Sequence, residues 1–90
     1  LNDPDPETRA LVIRLLATRN QPDAAEYIKR ALNDQNPGVR ATAVIGIMTL
    51  NDPAHLKHLD ICNNEKHPEV LGHLSAARRK LAALARRHSA

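Results

Sequence analysis

The sequence LNDPDPETRA at residues 1–10 returns as LNDQNPGVRA at residues 32–41, and this repetition decides the fold. A third, more divergent copy is NNEKHPEVLG at residues 63–72. The offset is 31 residues both times and requires no gap. A constant period of about 20 to 50 residues is typical of stacked-repeat proteins. The sequence therefore predicts repeat units at 1–31 and 32–62 and a degenerate terminal unit at 63–90.

Proline marks the start of each predicted helix. Five of the six prolines recur at intervals of 15 or 16 residues. Proline suits the first position of a helix, because the N–H that it lacks would be unpaired there. Several of these prolines follow Asp or Asn, which are strong N-caps. Each full unit is therefore predicted to be a pair of helices, and the five helices begin near residues 6, 22, 37, 53 and 68.

The apolar residues of these helices predict which faces are buried. The third helix, at 39–50, is apolar nearly all round, as expected for a helix that packs between neighbours. The last is predicted to be one helix of about five turns, because no turn residue interrupts 69–87. The predicted buried positions are Leu11, Val12, Leu15 and Leu16 in the first helix; Ala25, Ile28 and Leu32 in the second; Leu56, Leu59 and Cys62 in the fourth; and Val70, Leu74, Ala77, Leu81 and Leu84 in the last.

Composition supports a single all-helical domain. In a chain of 90 residues Tyr27 is the only aromatic residue, and the abundant Ala and Leu are strong helix formers. Cys62 is the only cysteine, which excludes an internal disulfide. No apolar run is long enough to span a bilayer and no signal peptide is evident, so we expect a cytoplasmic location. The net charge of +3 is uneven, because residues 63–90 carry six bases and two acids.

The pattern D-x-[DN]-P-x-x-R-x-x-[AV] resembles a HEAT repeat and, more narrowly, the HEAT-like repeats of the phycobilisome lyase type. The resemblance implies a short right-handed α-α superhelix of helix pairs, closed by a long terminal capping helix. It also implies a ladder of hydrogen-bonded Asp and Arg side chains along the stack, which is expected to stop where Glu65 and Leu71 replace them. The residues that carry the pattern are Asp3, Pro6, Arg9 and Val12, then Asp34, Pro37, Arg40 and Ala43.

The first residues of the chain align with the end of a repeat. Residues 1–3 correspond to residues 32–34, which follow the second helix of a pair. On this alignment we expect the chain to be a C-terminal fragment of a longer protein.

A non-catalytic docking role is the favoured function. No phosphate-binding glycine loop and no nucleophile with a plausible base are evident, so we expect neither an enzyme nor a bound cofactor. The second helices of stacked repeats line an extended concave surface. We expect a monomer in isolation whose partner is another protein or another domain of the parent chain. The candidate contacts on that surface are Glu26, Tyr27, Arg30, Lys57 and His58.

The alternative function is binding of nucleic acid or another anionic surface through the last helix. Clustered cations attract phosphates. This alternative is less favoured, because the charge lies on one helix and no aromatic residue is present there to stack on bases. The residues concerned are Arg78, Arg79, Lys80, Arg86 and Arg87.

Three possible metal ligands fall on the fourth predicted helix. On an α-helix His55, His58 and Cys62 share a narrow arc, and these residue types bind Zn²⁺. The preferred interpretation is structural, because no fourth ligand stands at a familiar spacing and Cys62 aligns with Ala31 of the preceding unit. The sequence therefore predicts no metal site.

Overall fold

The computed structural model describes residues 4–20 and 23–89, and within those ranges the chain is helical and contains no strand. This confirms the predicted all-α fold of helix pairs followed by one long helix. The helices are α1 (Pro6–Arg19), α2 (Ala24–Ala31), α3 (Pro37–Leu50), the 3₁₀ helix η1 (Pro53–Cys62) and α4 (Pro68–Ser89).

The predicted helix starts are confirmed wherever the structure describes them. The side chain of Asp5 accepts a hydrogen bond from the backbone N–H of Glu7, and Asn36 and Asp52 act in the same way before α3 and η1. Each of these caps satisfies a backbone donor that the first helical turn leaves unpaired. α2 begins at Ala24, and the proline predicted to start it, Pro22, lies outside the described residues.

An asparagine follows the first helix of each pair. Asn20 and Asn51 adopt φ angles of 50° and 57°, in the left-handed region, directly after α1 and α3. Asn tolerates this conformation better than most residues, and there its N–H bonds back to a carbonyl of the last helical turn. The chain can therefore reverse direction within a few residues.

α3 is the centre of the fold. It packs against α1, against α4 and, less extensively, against α2. η1 packs mainly on α4. The prediction that α3 packs between neighbouring helices is confirmed, since six of its residues are buried. At Gly46 a Cβ atom would lie 3.3 Å from Ile13 and from Ile28, so the absent side chain lets the helices approach closely.

The predicted buried stripe of α1 is wrong at Leu11 and Leu15, whereas Leu16 packs partly against the core. The structure buries Ala10, Ile13 and Ala17, whereas Leu11 and Leu15 are 48% and 47% exposed. The position of Leu15 corresponds, 31 residues on, to Gly46, which faces the preceding helix pair. Among the described residues no helix pair precedes α1, so the same face of α1 stays open. Val12 and Leu16 are half-buried.

The other predicted faces agree closely with the structure. Ile28 of α2 and Leu32, directly after that helix, are buried as predicted, but the buried alanine of α2 is Ala24 and not Ala25, which is half-buried. In α4 the predicted seam is confirmed from Val70 to Leu81, and Leu84 packs partly against the core. α4 continues to Ser89 without a turn, as predicted.

The fourth helix was predicted to be an α-helix but is a 3₁₀ helix over ten residues. A 3₁₀ helix has three residues per turn, so positions i and i+3 lie directly above one another. The predicted core positions survive this change, because Leu56, Leu59 and Cys62 are themselves spaced by three. Leu59 and Cys62 are buried and Leu56 packs partly against the core. The two remaining rows are His55, His58 and Ile61, and the exposed row of Ala54, Lys57 and Asp60.

Candidate functional site

Two arginine–carboxylate pairs join successive repeats along one edge of the stack. The guanidinium group of Arg9 donates to both carboxylate oxygens of Asp34, each at 2.9 Å. Arg40 binds Glu65 in the same bidentate manner, at 2.7 and 3.0 Å. Two parallel hydrogen bonds fix the geometry of such a pair as well as its energy. We refer to Arg9, Asp34, Arg40 and Glu65 as the ladder.

The ladder extends one step further than predicted. Glu65 was expected to end it, but its side chain still reaches Arg40 and also accepts the backbone N–H groups of Lys66 and His67. The next step is missing because Leu71, which replaces the arginine, has no donor. Asp3, the first predicted member, lies outside the described residues.

Both ladder carboxylates are held in the ionised form. Burial alone would raise the pKa of Asp34, but the hydrogen bonds from Arg9 and from the backbone N–H of Asn36 outweigh it and lower that pKa. For Glu65 the hydrogen bond from Arg40 is the largest effect and lowers its pKa despite burial. Each arginine of the ladder therefore faces a full negative charge.

A pocket of about 410 Å³ opens where α1, α2 and the start of α3 meet. The Arg9–Asp34 pair lies in its wall and is largely covered, with 18% and 15% of the side chains exposed. Tyr27 is half-buried, whereas the side chain of Arg30 is 79% exposed and approaches Glu26 only at 4.0 Å. We call this the Tyr27 pocket; it is lined by Arg9, Ile13, Tyr27, Arg30, Ala31, Asp34 and Val39.

The structure brings some of the five candidate contacts together and separates others. Tyr27 and Arg30 line one pocket, and Glu26 is exposed one turn away on α2. Lys57 lies in a different, shallow depression beside Asp60 and Arg78. His58 stacks on His55, with ring centroids 5.3 Å apart. The candidate site thus centres on Tyr27 and Arg30.

A second pocket, of about 210 Å³, lies beside the first, and no feature of the sequence had predicted it. The two pockets share Asp34, and the 31-residue offset relates their walls: Arg9, Arg30, Ala31 and Asp34 correspond to Arg40, Ile61, Cys62 and Glu65. The 31-residue offset leads from Arg30 to Ile61, and Ile61 is the sequence signal that could have indicated the second pocket. We call it the Ile61 pocket, after the isoleucine that is 41% exposed there.

The three possible metal ligands of η1 do not converge. In a 3₁₀ helix His55 and His58 share one row, whereas Cys62 belongs to the row that faces the core. Within residues 4–20 and 23–89, no three His, Cys, Asp or Glu side chains are arranged to hold a metal ion. Burial raises the pKa of the Cys62 thiol, which favours its neutral form.

The cations of α4 divide into two groups. Arg78 donates to the carbonyl of Leu59 and to the side chain of Asn63, and Lys80 reaches the carbonyl of Met48. These two residues attach α4 to the stack. Arg79, Arg86 and Arg87 are exposed on the same helix.

The chain was compared with protein-family models, curated proteins and solved structures. Residues 1–78 match the family model described as HEAT repeats. No curated protein and no solved structure gives a significant match. Within the described part of the chain, no helix combines the length and apolarity needed to cross a membrane.

Proposed function

We propose, from the premise that the chain belongs to the HEAT repeat family, that it is a non-catalytic docking module. HEAT repeats commonly mediate protein interactions, and stacked helix pairs present extended binding surfaces. The proposed partner is another protein or another domain of the parent chain. The Arg9–Asp34 and Arg40–Glu65 pairs also support the narrower proposal that these repeats are of the phycobilisome lyase type.

The Tyr27 pocket is the observation that carries this proposal. Tyr and Arg are enriched among the residues that dominate binding energy at protein interfaces, particularly where they border a pocket. Here Tyr27 is half-buried, and within the described part of the chain Arg30 forms only a long ion pair, of 4.0 Å, with Glu26. A partner group can therefore bind Arg30 without breaking a strong internal contact, because exposed helix ion pairs contribute only a few tenths of a kcal/mol.

Affinity capture with variants tests the role of this pocket. Proteins retained by the immobilised chain are identified, and the binding of each purified candidate is then measured for Tyr27→Ala and Arg30→Ala. Loss of about tenfold or more in affinity is expected for each, as for residues that anchor an interface. Arg14→Ala and Leu15→Ala are matched controls, since both residues are exposed on α1 outside the pocket. A partner bound at full strength by both pocket variants would refute this surface.

A second candidate function is binding to an anionic partner through α4. It is supported by the exposure of Arg79, Arg86 and Arg87 on one helix. It is weakened by the engagement of Arg78 and Lys80 in contacts within the fold. Binding driven by phosphates falls steeply as salt rises. Absence of affinity for mixed-sequence DNA and RNA at low salt would eliminate nucleic acid as the partner.

A further inference from the structure

One row of side chains on α1 is exposed from the first turn of the helix to the last. Its members stand four positions apart, so they are neighbours along one side of the helix, opposite the buried residues of α1. Large apolar residues that lie together on a surface, flanked by polar ones, are typical of interaction sites. We call these residues the α1 row; they are Glu7, Leu11, Leu15 and Arg19, all of them exposed.

The α1 row does not have the residues that join helix pairs within this chain. The 31-residue offset places Thr42 and Gly46 of α3 at the positions equivalent to Leu11 and Leu15. Gly46 lies so close to the preceding helix pair that a Cβ atom there would be 3.3 Å from two of its isoleucines. A helix pair stacked on α1 in the same way would meet two leucines where this contact has a threonine and a glycine. The α1 row therefore favours a contact of a different kind.

The charges at the two ends of the α1 row are opposite. Glu7 stands at its N-terminal end and Arg19 at its C-terminal end, with the two leucines between them. Within the described part of the chain neither of these charged residues forms an ion pair. A second row of the same kind, running in the opposite direction, would place a base beside the acid and an acid beside the base. The α1 row is therefore complementary to an antiparallel copy of itself, which is the property of a contact across a twofold axis.

We propose that the α1 row binds the α1 row of a second copy of the chain and forms an antiparallel dimer. Rows of residues spaced by four run parallel to one another when two helices cross at about 50°, the commonest packing of helices. In this arrangement the leucines of the two copies cover one another, and Glu7 of each copy lies beside Arg19 of the other. The dimer differs from the monomer expected from the sequence. It does not depend on the docking function, since no residue of the α1 row lines the Tyr27 pocket.

The association is expected to be weak. One face of one helix from each copy buries less than the roughly 1,200 Å² of a stable complex. Arg14, exposed beside the middle of the row, lies near the twofold axis, where the two copies of this residue repel each other. We expect a dissociation constant on the order of 0.1 mM. At the low micromolar concentrations of unfolding experiments the chain is therefore a monomer.

Sedimentation equilibrium from about 10 µM to about 1 mM, a range that spans this dissociation constant, measures the association. We expect an equilibrium of monomer and dimer that Leu15→Asp weakens by about tenfold or more, because each copy then places a carboxylate against the leucines of the other. Leu71→Asp is the matched control, since Leu71 is similarly exposed on α4. Thermal unfolding confirms that each variant is folded.

Exchange of the charges tests the direction of the two helices. Glu7→Arg and Arg19→Glu should each weaken the dimer by about tenfold or more, because each change turns both attractions between the copies into repulsions. A chain with both changes should dimerise as the unchanged chain does. An equimolar mixture of the two single variants should associate more tightly than either variant alone. Glu69→Arg and Arg86→Glu, exposed on α4, are the matched controls.

Several outcomes would overturn this proposal. A chain that stays monomeric at the highest concentration, or a dimer that Leu15→Asp leaves unchanged, would exclude the α1 row as the contact. Oligomers that keep growing with concentration would indicate a head-to-tail contact instead. Single charge variants that dimerise like the unchanged chain would exclude the antiparallel arrangement, because parallel helices place like charges together at both ends before and after either change.

Discussion

Arg40 binds Glu65 through two hydrogen bonds of 2.7 and 3.0 Å. The same guanidinium group donates to the backbone carbonyls of Asp34 and Gln35, at 2.9 and 3.2 Å. One side chain of α3 therefore holds the turn before its own helix and the turn before α4. The ladder thus couples the repeats to one another and forms the base on which both pockets are built.

Removing one partner of the Arg40–Glu65 pair should destabilise the fold. Glu65→Ala leaves a largely covered arginine without its carboxylate, and we expect a loss of about 3 kcal/mol in the free energy of unfolding. The double variant Arg40→Leu with Glu65→Leu should lose less than the sum of the single changes, because the two residues are coupled. Urea unfolding measures both. The exposed Glu69→Ala is the control, and equal losses for Glu65→Ala and Glu69→Ala would contradict the role of the pair.

Acid should weaken the ladder. The folded-state pKa values of Asp34 and Glu65 are lower than the ordinary values of 3.8 and 4.5. Between the ordinary and the lowered values the unfolded chain binds more protons, so stability is complete above that window and is lost as the pH falls through it. Unfolding experiments from pH 6 to pH 2 should show this loss, and Glu65→Gln should make it smaller. If Glu65→Gln leaves the dependence of the unfolding free energy on pH unchanged, Glu65 does not contribute to the acid sensitivity.

His58 should add a second pH dependence in a milder range. Burial, followed by the charges of His55, Lys29 and Lys57, lowers the pKa of His58 below 6.5. The unfolded chain therefore takes up the proton first, and stability should decrease as the pH falls from about 7 toward the lowered value. His58→Gln should flatten the profile of unfolding free energy in this range. His73→Gln, on α4, is the control, and an equal effect of both changes would contradict the assignment.

Two aliphatic residues can test which face of α1 is buried. Ile13→Ala should cost about 2–5 kcal/mol, because Ile13 is 1% exposed and its truncation leaves a cavity. Leu15→Ala should cost less than about 1 kcal/mol, since Leu15 is already 47% exposed. Chemical unfolding of the two variants compares them directly. A larger loss of unfolding free energy for Leu15→Ala than for Ile13→Ala would support the buried face that the sequence predicted and contradict the one in the structure.

Two helical glycines should respond oppositely to alanine. A Cβ atom at Gly46 would lie 3.3 Å from two isoleucines that are almost fully buried and have little room to move. The resulting overpacking, of about 1–3 kcal/mol, exceeds the gain in helix propensity of about 1 kcal/mol, so Gly46→Ala should be destabilising. At Gly72 a Cβ meets nothing within 4 Å, so Gly72→Ala should raise the melting temperature. A stabilising Gly46→Ala would show that the α1–α3 contact is looser than described.

The repeat length follows from the 31-residue offset itself, and the helix starts follow from interactions over short stretches. Asp or Asn before proline caps a helix with little help from the rest of the chain, which is why the starts of α1, α3 and η1 were predictable. The single seam of α4 was predictable for a related reason, because its spacing admits only one buried face. The offset places Arg40 and Glu65 at the positions equivalent to Arg9 and Asp34, but the pairing of such side chains was implied only by the resemblance to HEAT repeats, and the Arg40–Glu65 pair was not expected.

What the sequence by itself determined is therefore the number, order and starts of the helices and the residue types along the ladder. Tertiary structure alone decided which side of α1 is covered, since its apolar residues span more of the helix than α2 and α3 can bury. It also decided that η1 winds as a 3₁₀ helix, which separates Cys62 from the two histidines. That Asp34 lines both pockets is likewise a result of tertiary structure, because it depends on how neighbouring helix pairs pack and not on any local pattern.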